Sequence, residues 1–301
     1  MKNQKLKTTL KNINQPFYSS QLAHSFLRVG LPRYIAYQIA HNIWEEFLHK
    51  NKDESKLYRR ACAILKEKYP ELLDRYRNWH KIAKRKKPLI IFVGGSTGVG
   101  TSTLAVKLGS ALDINHIVST DAVREIVRKF LPVQISPLLH VSTYESGAII
   151  ETIRSYNDAV VFGFVSQSKK VIYGLEPVIK RSVKERQDII IEGIHLIPGQ
   201  MEFLKKYEKK AKIIQIILDV DHVKTHLEHF SIRHFQNSNR PKTKYLKNFK
   251  EIRLIRDFLV HEAEENNVSV FENYNLNKVE RQIVNYIYLQ YLAKNGKENK
   301  N

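Results

Sequence analysis

Gly95 and Gly100 stand five residues apart with Gly98 between them, and three hydroxyl residues, Thr101, Ser102 and Thr103, follow at once. Glycines at this spacing let backbone N–H groups converge on the oxygens of an anion without Cβ clashes. The pattern fits G-x-x-x-x-G-K-[ST], with Ser102 at the hydroxyl position that holds Mg²⁺. The candidate nucleotide-binding stretch is therefore Gly95, Ser96, Thr97, Gly98, Val99, Gly100, Thr101, Ser102 and Thr103. One residue departs from the pattern. Thr101 stands where a lysine would reach the β- and γ-phosphates. A threonine cannot neutralise phosphate charge, so phosphoryl transfer here needs a cation from elsewhere.

Carboxylates and guanidiniums suited to that chemistry follow. Asp121 stands just past a short apolar segment and could orient or deprotonate an acceptor hydroxyl; a plain helix cap is the alternative. Arg124 and Arg128 share its helical face and suit bidentate contact with a carboxylate or phosphate on the acceptor. Glu192 ends an apolar run and is followed by Gly193, a position for supporting Mg²⁺, in part through water. The basic stretch from His229 to Lys244 has the composition of a lid, with Arg233 as a candidate catalytic cation and Arg240 as a candidate substrate ligand; a solvated basic loop is the alternative. His140, Ser142 and Tyr144 form a polar patch that could shape an acceptor pocket. His195 has no assigned role. His222 and His226 are four apart without a carboxylate partner, so they read as a surface helix rather than a metal site.

These residues need a frame. Leu89–Val93 is an apolar run that stops in glycines, after which a helical pattern runs to about Leu112. Residues 114–118 read as a second strand, with Ser119, Thr120 or Asp121 capping the next helix. The stretch from about Ser142 to Lys184 reads as two or more helices. Further strands are expected over 188–193, 212–219 and 268–271. Strands alternating with helices indicate an α/β fold, a parallel sheet flanked by helices, with the ligand at the carboxyl ends of the strands. Before residue 88 the periodicity is helical from Ser19 to about Lys84, with Gly30 and Pro32 separating the first two helices and others starting near Asp53 and after Pro70. The basic run Lys84–Pro88 marks a domain boundary, giving domains 1–87 and 88–301.

Composition narrows the partners. The chain has 301 residues, 43% of them hydrophobic, enough for a sizeable core. Its net charge of +20 points to anionic ligands, or to a salt-rich cytosol that screens self-repulsion. The single cysteine, Cys62, excludes an internal disulfide and a cysteine metal cluster. The apolar runs are strand-length, and the basic N-terminus has no apolar segment behind it, so a cytoplasmic protein without a membrane partner is expected. Nucleic acid, suggested by charge alone, ranks last among the partners. A homodimer is compatible with this organisation.

The stretches Gly94–Ala105, Ile117–Arg128 and Ile189–Gly199 together resemble archaeal 2-phosphoglycerate kinase. Pro16–Phe26, Gly30–Pro32 and Ala36–Ala40 resemble the small ATP-cone-like domain that precedes the kinase domain in that family. The resemblance covers nearly the whole chain. It implies a P-loop kinase domain after a small, mostly helical domain, with ATP and Mg²⁺ as cofactors and a small phosphoacid as substrate. The implied reaction phosphorylates 2-phosphoglycerate to 2,3-bisphosphoglycerate, which feeds cyclic 2,3-diphosphoglycerate synthesis. Two alternatives stay open: a P-loop kinase for another small acid or a nucleoside, and a non-catalytic ATP-sensing regulator.

Overall fold

The computed structural model describes residues 19–47, 54–83, 87–150, 153, 155–236 and 242–298. The chain forms two compact units, Met1–Arg85 and Lys86–Asn301. Among the described residues the first holds four helices: α1 (residues 19–29), α2 (Arg33–Glu46), α3 (Glu54–Lys68) and α4 (Pro70–Ala83). Their apolar faces close on one core around Phe26, Ile43, Leu65 and Tyr76. Tyr58 stacks on His80 with ring centroids 4.1 Å apart.

The second unit is built on a five-stranded sheet of order β2-β3-β1-β4-β5, parallel throughout. The strands are β1 (Leu89–Gly94), β2 (Ile117–Ser119), β3 (Ile189–Gly193), β4 (Lys212–Asp219) and β5 (Ser269–Glu272). Every residue of central β1 is buried, as expected of a parallel strand covered on both faces by helices. Ile90 and Phe92 of β1 and Ile189 and Ile191 of β3 form one core with Val171, Leu175 and Ile179 of the long helix α7 (Tyr156–Glu185). Helix α5 (Thr101–Leu112) packs against β3 and α11 (Leu276–Glu298).

Helix α6 (Thr120–Phe130) begins directly at the end of β2. Of the three possible caps, Ser119 is used: its hydroxyl accepts from the Asp121 N–H at 3.1 Å. The backbone N–H need of the first turn is met by that serine, so the Asp121 carboxylate is not spent on capping.

The stretch after Ser142 holds two helical elements, in line with the expectation of two or more helices. A short 3₁₀ turn over Thr143–Ile149 is followed by α7, thirty residues long, with Pro177 inside it. Proline removes one intrahelical hydrogen bond and reads as a break in sequence. Here the apolar stripe from Val171 to Ile179 stays buried across the proline, and packing holds the helix continuous. Helices α8 (Val223–Gln236), α9 (Lys242–Lys247) and α10 (Phe249–Glu265) precede β5. Phe230, Phe249, Ile252 and Leu259 from these helices join Tyr144 and Phe164 in a further core.

Candidate functional site

A cavity of about 660 Å³ opens over the carboxyl ends of β1, β2 and β3, within the range of small-molecule sites. One wall is the phosphate loop. Ser96, Thr97, Gly98, Gly100 and Thr101 line it, together with Gly95, Ser102 and Thr103. Val99 turns its side chain into the core instead, and its carbonyl accepts from the Asn273 side-chain amide at 2.8 Å. Gly98 has φ +94°, and a Cβ there would sit 2.5 Å from the Phe230 ring, so only glycine fits the turn.

Helix α8 holds this loop from outside. The His226 Nε2–H donates to the Thr97 carbonyl at 2.8 Å, and the His229 Nδ1–H donates to the Gly98 carbonyl at 3.1 Å. His226 is fully buried and stacked on Phe230, so it does not belong to a surface helix as its spacing suggested. Burial pushes its imidazole below the ordinary value despite the Thr97 carbonyl.

Thr101 has a different task from the lysine it replaces. Its hydroxyl donates to the Glu192 carboxylate at 2.8 Å, across from α5 to the end of β3. Glu192 is 6% exposed, and register places it beside Val93 of β1 and Ser119 of β2. Ser102, the next residue, lines the cavity, as does Glu192. Among the described residues no three His, Cys, Asp or Glu side chains converge as a metal cage. Mg²⁺ needs only one or two protein oxygens when phosphates and water complete its octahedron, so the Ser102 hydroxyl and Glu192 carboxylate suit it. The Ser96 hydroxyl is buried without a protein partner in the same wall, a donor suited to a phosphate oxygen.

The opposite wall starts at α6. Asp121 and Arg124 line the cavity. Arg124 donates to the Val141 carbonyl at 2.9 Å, which leaves its Nε buried without a partner. Arg128 does not join it: one turn further on, it pairs with Glu125 at 2.9 Å and lies outside the lining. Ser142 and Tyr144 of the polar patch complete this wall together with Thr143, while His140 faces the Leu131 carbonyl at 2.8 Å. Lys244 donates to the Ser142 hydroxyl and pairs with Glu145, both at 3.0 Å. Burial pushes the Glu145 carboxyl up, but the Lys244 ammonium and the Ser142 contacts together hold it below its usual value. Arg233 falls in α8, with its side chain outside the described residues, and Arg240 lies outside them altogether.

Asp219, at the end of β4, is held by the Arg256 guanidinium through two nitrogens, the Nε contact being 2.7 Å. That carboxylate raises the Arg256 pKa further and fixes α10 on the sheet. His229, the first residue of the expected lid stretch, reaches the cavity; residues missed in the sequence are Thr143, Ile194, Tyr245 and the Asn273–Leu276 turn. Asn273 had a weak signal, a polar residue directly after a strand; the others carried none.

A glycine loop between strand and helix at the switch point of a parallel sheet, facing an aspartate and arginine from the end of the next strand but one, defines a P-loop phosphotransferase. No family model matches the chain. Individual relatives do. It is 34% identical to 2-phosphoglycerate kinase of Methanopyrus kandleri over 290 residues, 95% of this chain and 88% of that one. The same enzyme of Methanocaldococcus jannaschii is 34% identical over 92% of this chain and 89% of its own. That of Pyrococcus horikoshii is 33% identical over 90% and 89%. The chain belongs to the archaeal 2-phosphoglycerate kinase family.

Proposed function

We propose that this enzyme transfers the γ-phosphoryl group of ATP to the 3-hydroxyl of 2-phosphoglycerate, giving ADP and 2,3-bisphosphoglycerate. The observation that carries the proposal is the arrangement of the cavity walls: a phosphate loop on one side, Asp121 and Arg124 on the other, at the ends of strands that share a sheet. The loop amides and the Ser96 hydroxyl bind the donor phosphates, and Thr101 holds Glu192 in place. Ser102 and Glu192 are the residues that would hold Mg²⁺, which when bound neutralises charge on the β- and γ-phosphates. Arg124 binds the carboxylate or phosphate of the acceptor. Asp121 orients the acceptor hydroxyl and takes its proton as the new O–P bond forms and the bond to the ADP oxygen breaks. Arg233 and Arg240 are positioned in sequence to close over the site from the α8–α9 segment and supply the charge that Thr101 lacks. The helical unit before residue 86 acts as an ATP-cone-like accessory domain. A cytoplasmic setting would supply both ATP and a small phosphoacid to this reaction.

The test is an acceptor screen with ATP and Mg²⁺ that reads ADP release and identifies the product by mass. Turnover that depends on 2-phosphoglycerate supports the proposal; ATP binding with no acceptor able to stimulate ADP release rejects it. Asp121→Asn distinguishes an enzyme from a nucleotide sensor. It is expected to lower kcat by roughly 10²–10⁴-fold while ATP affinity stays the same.

A further inference from the structure

Behind the acceptor wall lies a buried polar chain that the reaction scheme does not use. His195, two residues past β3, is fully buried. Its Nδ1 lies 2.9 Å from the Thr120 hydroxyl, and its Nε2 lies 3.2 Å from the Gln167 side-chain oxygen. Thr143, which lines the cavity, brings its hydroxyl to 3.5 Å from the same Nε2. Gln167, on α7, is fully buried as well. Its side-chain amide donates to the Leu138 carbonyl and, at 3.1 Å, to the Val141 carbonyl. That second carbonyl is the one that Arg124 grips.

The chemistry of the donors settles the proton. Gln167 uses its N–H groups on two carbonyls, so its oxygen faces His195 as an acceptor, and Nε2 must donate. Nδ1 then accepts from the Thr120 hydroxyl. The donors of Thr120, His195 and Gln167 each have an acceptor when the imidazole is neutral with its proton on Nε2. Desolvation, opposed by Asp121 and reinforced by Arg124, keeps it so by pushing the imidazole down to about 4.

An ordinary core needs none of this, since apolar side chains fill such space at less risk. The neighbouring layer under the sheet, around Val123, Leu139 and Val171, is apolar. The polar chain appears only where its ends reach the residue before Asp121 and the carbonyl that fixes Arg124. We infer that His195 and Gln167 are positioning residues, which set the start of α6 and the Arg124 guanidinium in register for the acceptor. The inference rests on the proposed acceptor-side roles of Asp121 and Arg124.

The test compares Gln167→Leu, His195→Leu and His195→Asn with the parent enzyme. Acceptor-dependent turnover by the parent is measured first, and its absence rejects the proposed function rather than this inference. With turnover present, Gln167→Leu and His195→Leu are expected to lower kcat/KM for the acceptor by roughly 10–100-fold with ATP affinity unchanged. His195→Asn, which keeps one donor and one acceptor, is expected to recover part of the loss. Unchanged acceptor kinetics in the leucine variants, or equal losses for acceptor and ATP, overturn the inference. Should the variants not fold, ¹⁵N-histidine NMR of the parent decides: a neutral imidazole with its proton on Nε2, unchanged between pH 5.5 and 8, supports it. A proton on Nδ1, or titration in that range, overturns it.

Discussion

Thr101 shows how one residue can change the wiring of a phosphate loop without abolishing it. Lysine would reach forward to the phosphates; threonine reaches sideways and donates to Glu192 at 2.8 Å. A charge on the ligand is exchanged for order in a carboxylate. Thr101→Val keeps the shape and loses the donor, so kcat is expected to fall by about 10–100-fold, with Thr101→Ser close to the parent. Steady-state kinetics on both variants checks this. His195 makes a separate prediction about stability. Its imidazole has an ordinary value of 6.5 and is held down to about 4 by burial. Between these values the unfolded chain carries a proton there and the folded chain does not, so stability falls as pH falls through that window. The shift corresponds to on the order of 3 kcal/mol. His195→Asn should show a smaller drop in urea midpoint between pH 7 and 4.5 than the parent, and equal drops would refute the assignment. The loop glycines were legible in the sequence because the whole motif lies within one strand, turn and helix. His195 was not, because Thr120 and Gln167 are 75 and 28 residues away.

At the scale of elements, α7 shows packing overriding a local backbone preference. Pro177 disfavours a continuous helix locally, and burial of Val171, Leu175 and Ile179 overrules it. A proline retained in a helix interior costs stability, offset in part by the smaller entropy of the unfolded chain. Pro177→Ala is therefore expected to raise stability by about 1–2 kcal/mol, read as a shift in denaturant midpoint with unchanged slope. The same logic explains why His226 was misread. Spacing along a helix says which residues share a face, not what that face meets. Here it meets the Thr97 carbonyl, 129 residues earlier in the chain. Four strands were legible because each is a mostly apolar run ended by charge or glycine, whereas β2, interrupted by Asn115 and His116, was expected over 114–118 and lies at Ile117–Ser119. The order of the strands in the sheet was not legible, because nothing in a strand's own sequence names its neighbour.

At the scale of the whole molecule, the cavity described here is lined entirely by residues of the second unit, which has cores of its own. A protein limited to residues 86–301 is expected to unfold cooperatively and to keep acceptor-dependent ADP release within about tenfold of the full chain. Loss of turnover in a folded 86–301 protein would mean that the first unit supplies a residue to the reaction. Among the described residues no helix is long and apolar enough to cross a membrane. The sheet order carries one more consequence. The phosphate loop leaves β1, Glu192 ends β3, and α6 with Asp121 leaves β2, so the three stand on adjacent strands. Adjacent strands are about 4.8 Å apart, which sets donor and acceptor about 10 Å from each other at their bases. Backbone hydrogen bonds make that spacing a ruler that side-chain changes cannot stretch. A new acceptor can be accommodated by altering the α6 to α7 segment, while the spacing between the phosphate loop and the start of α6 stays as the sheet dictates.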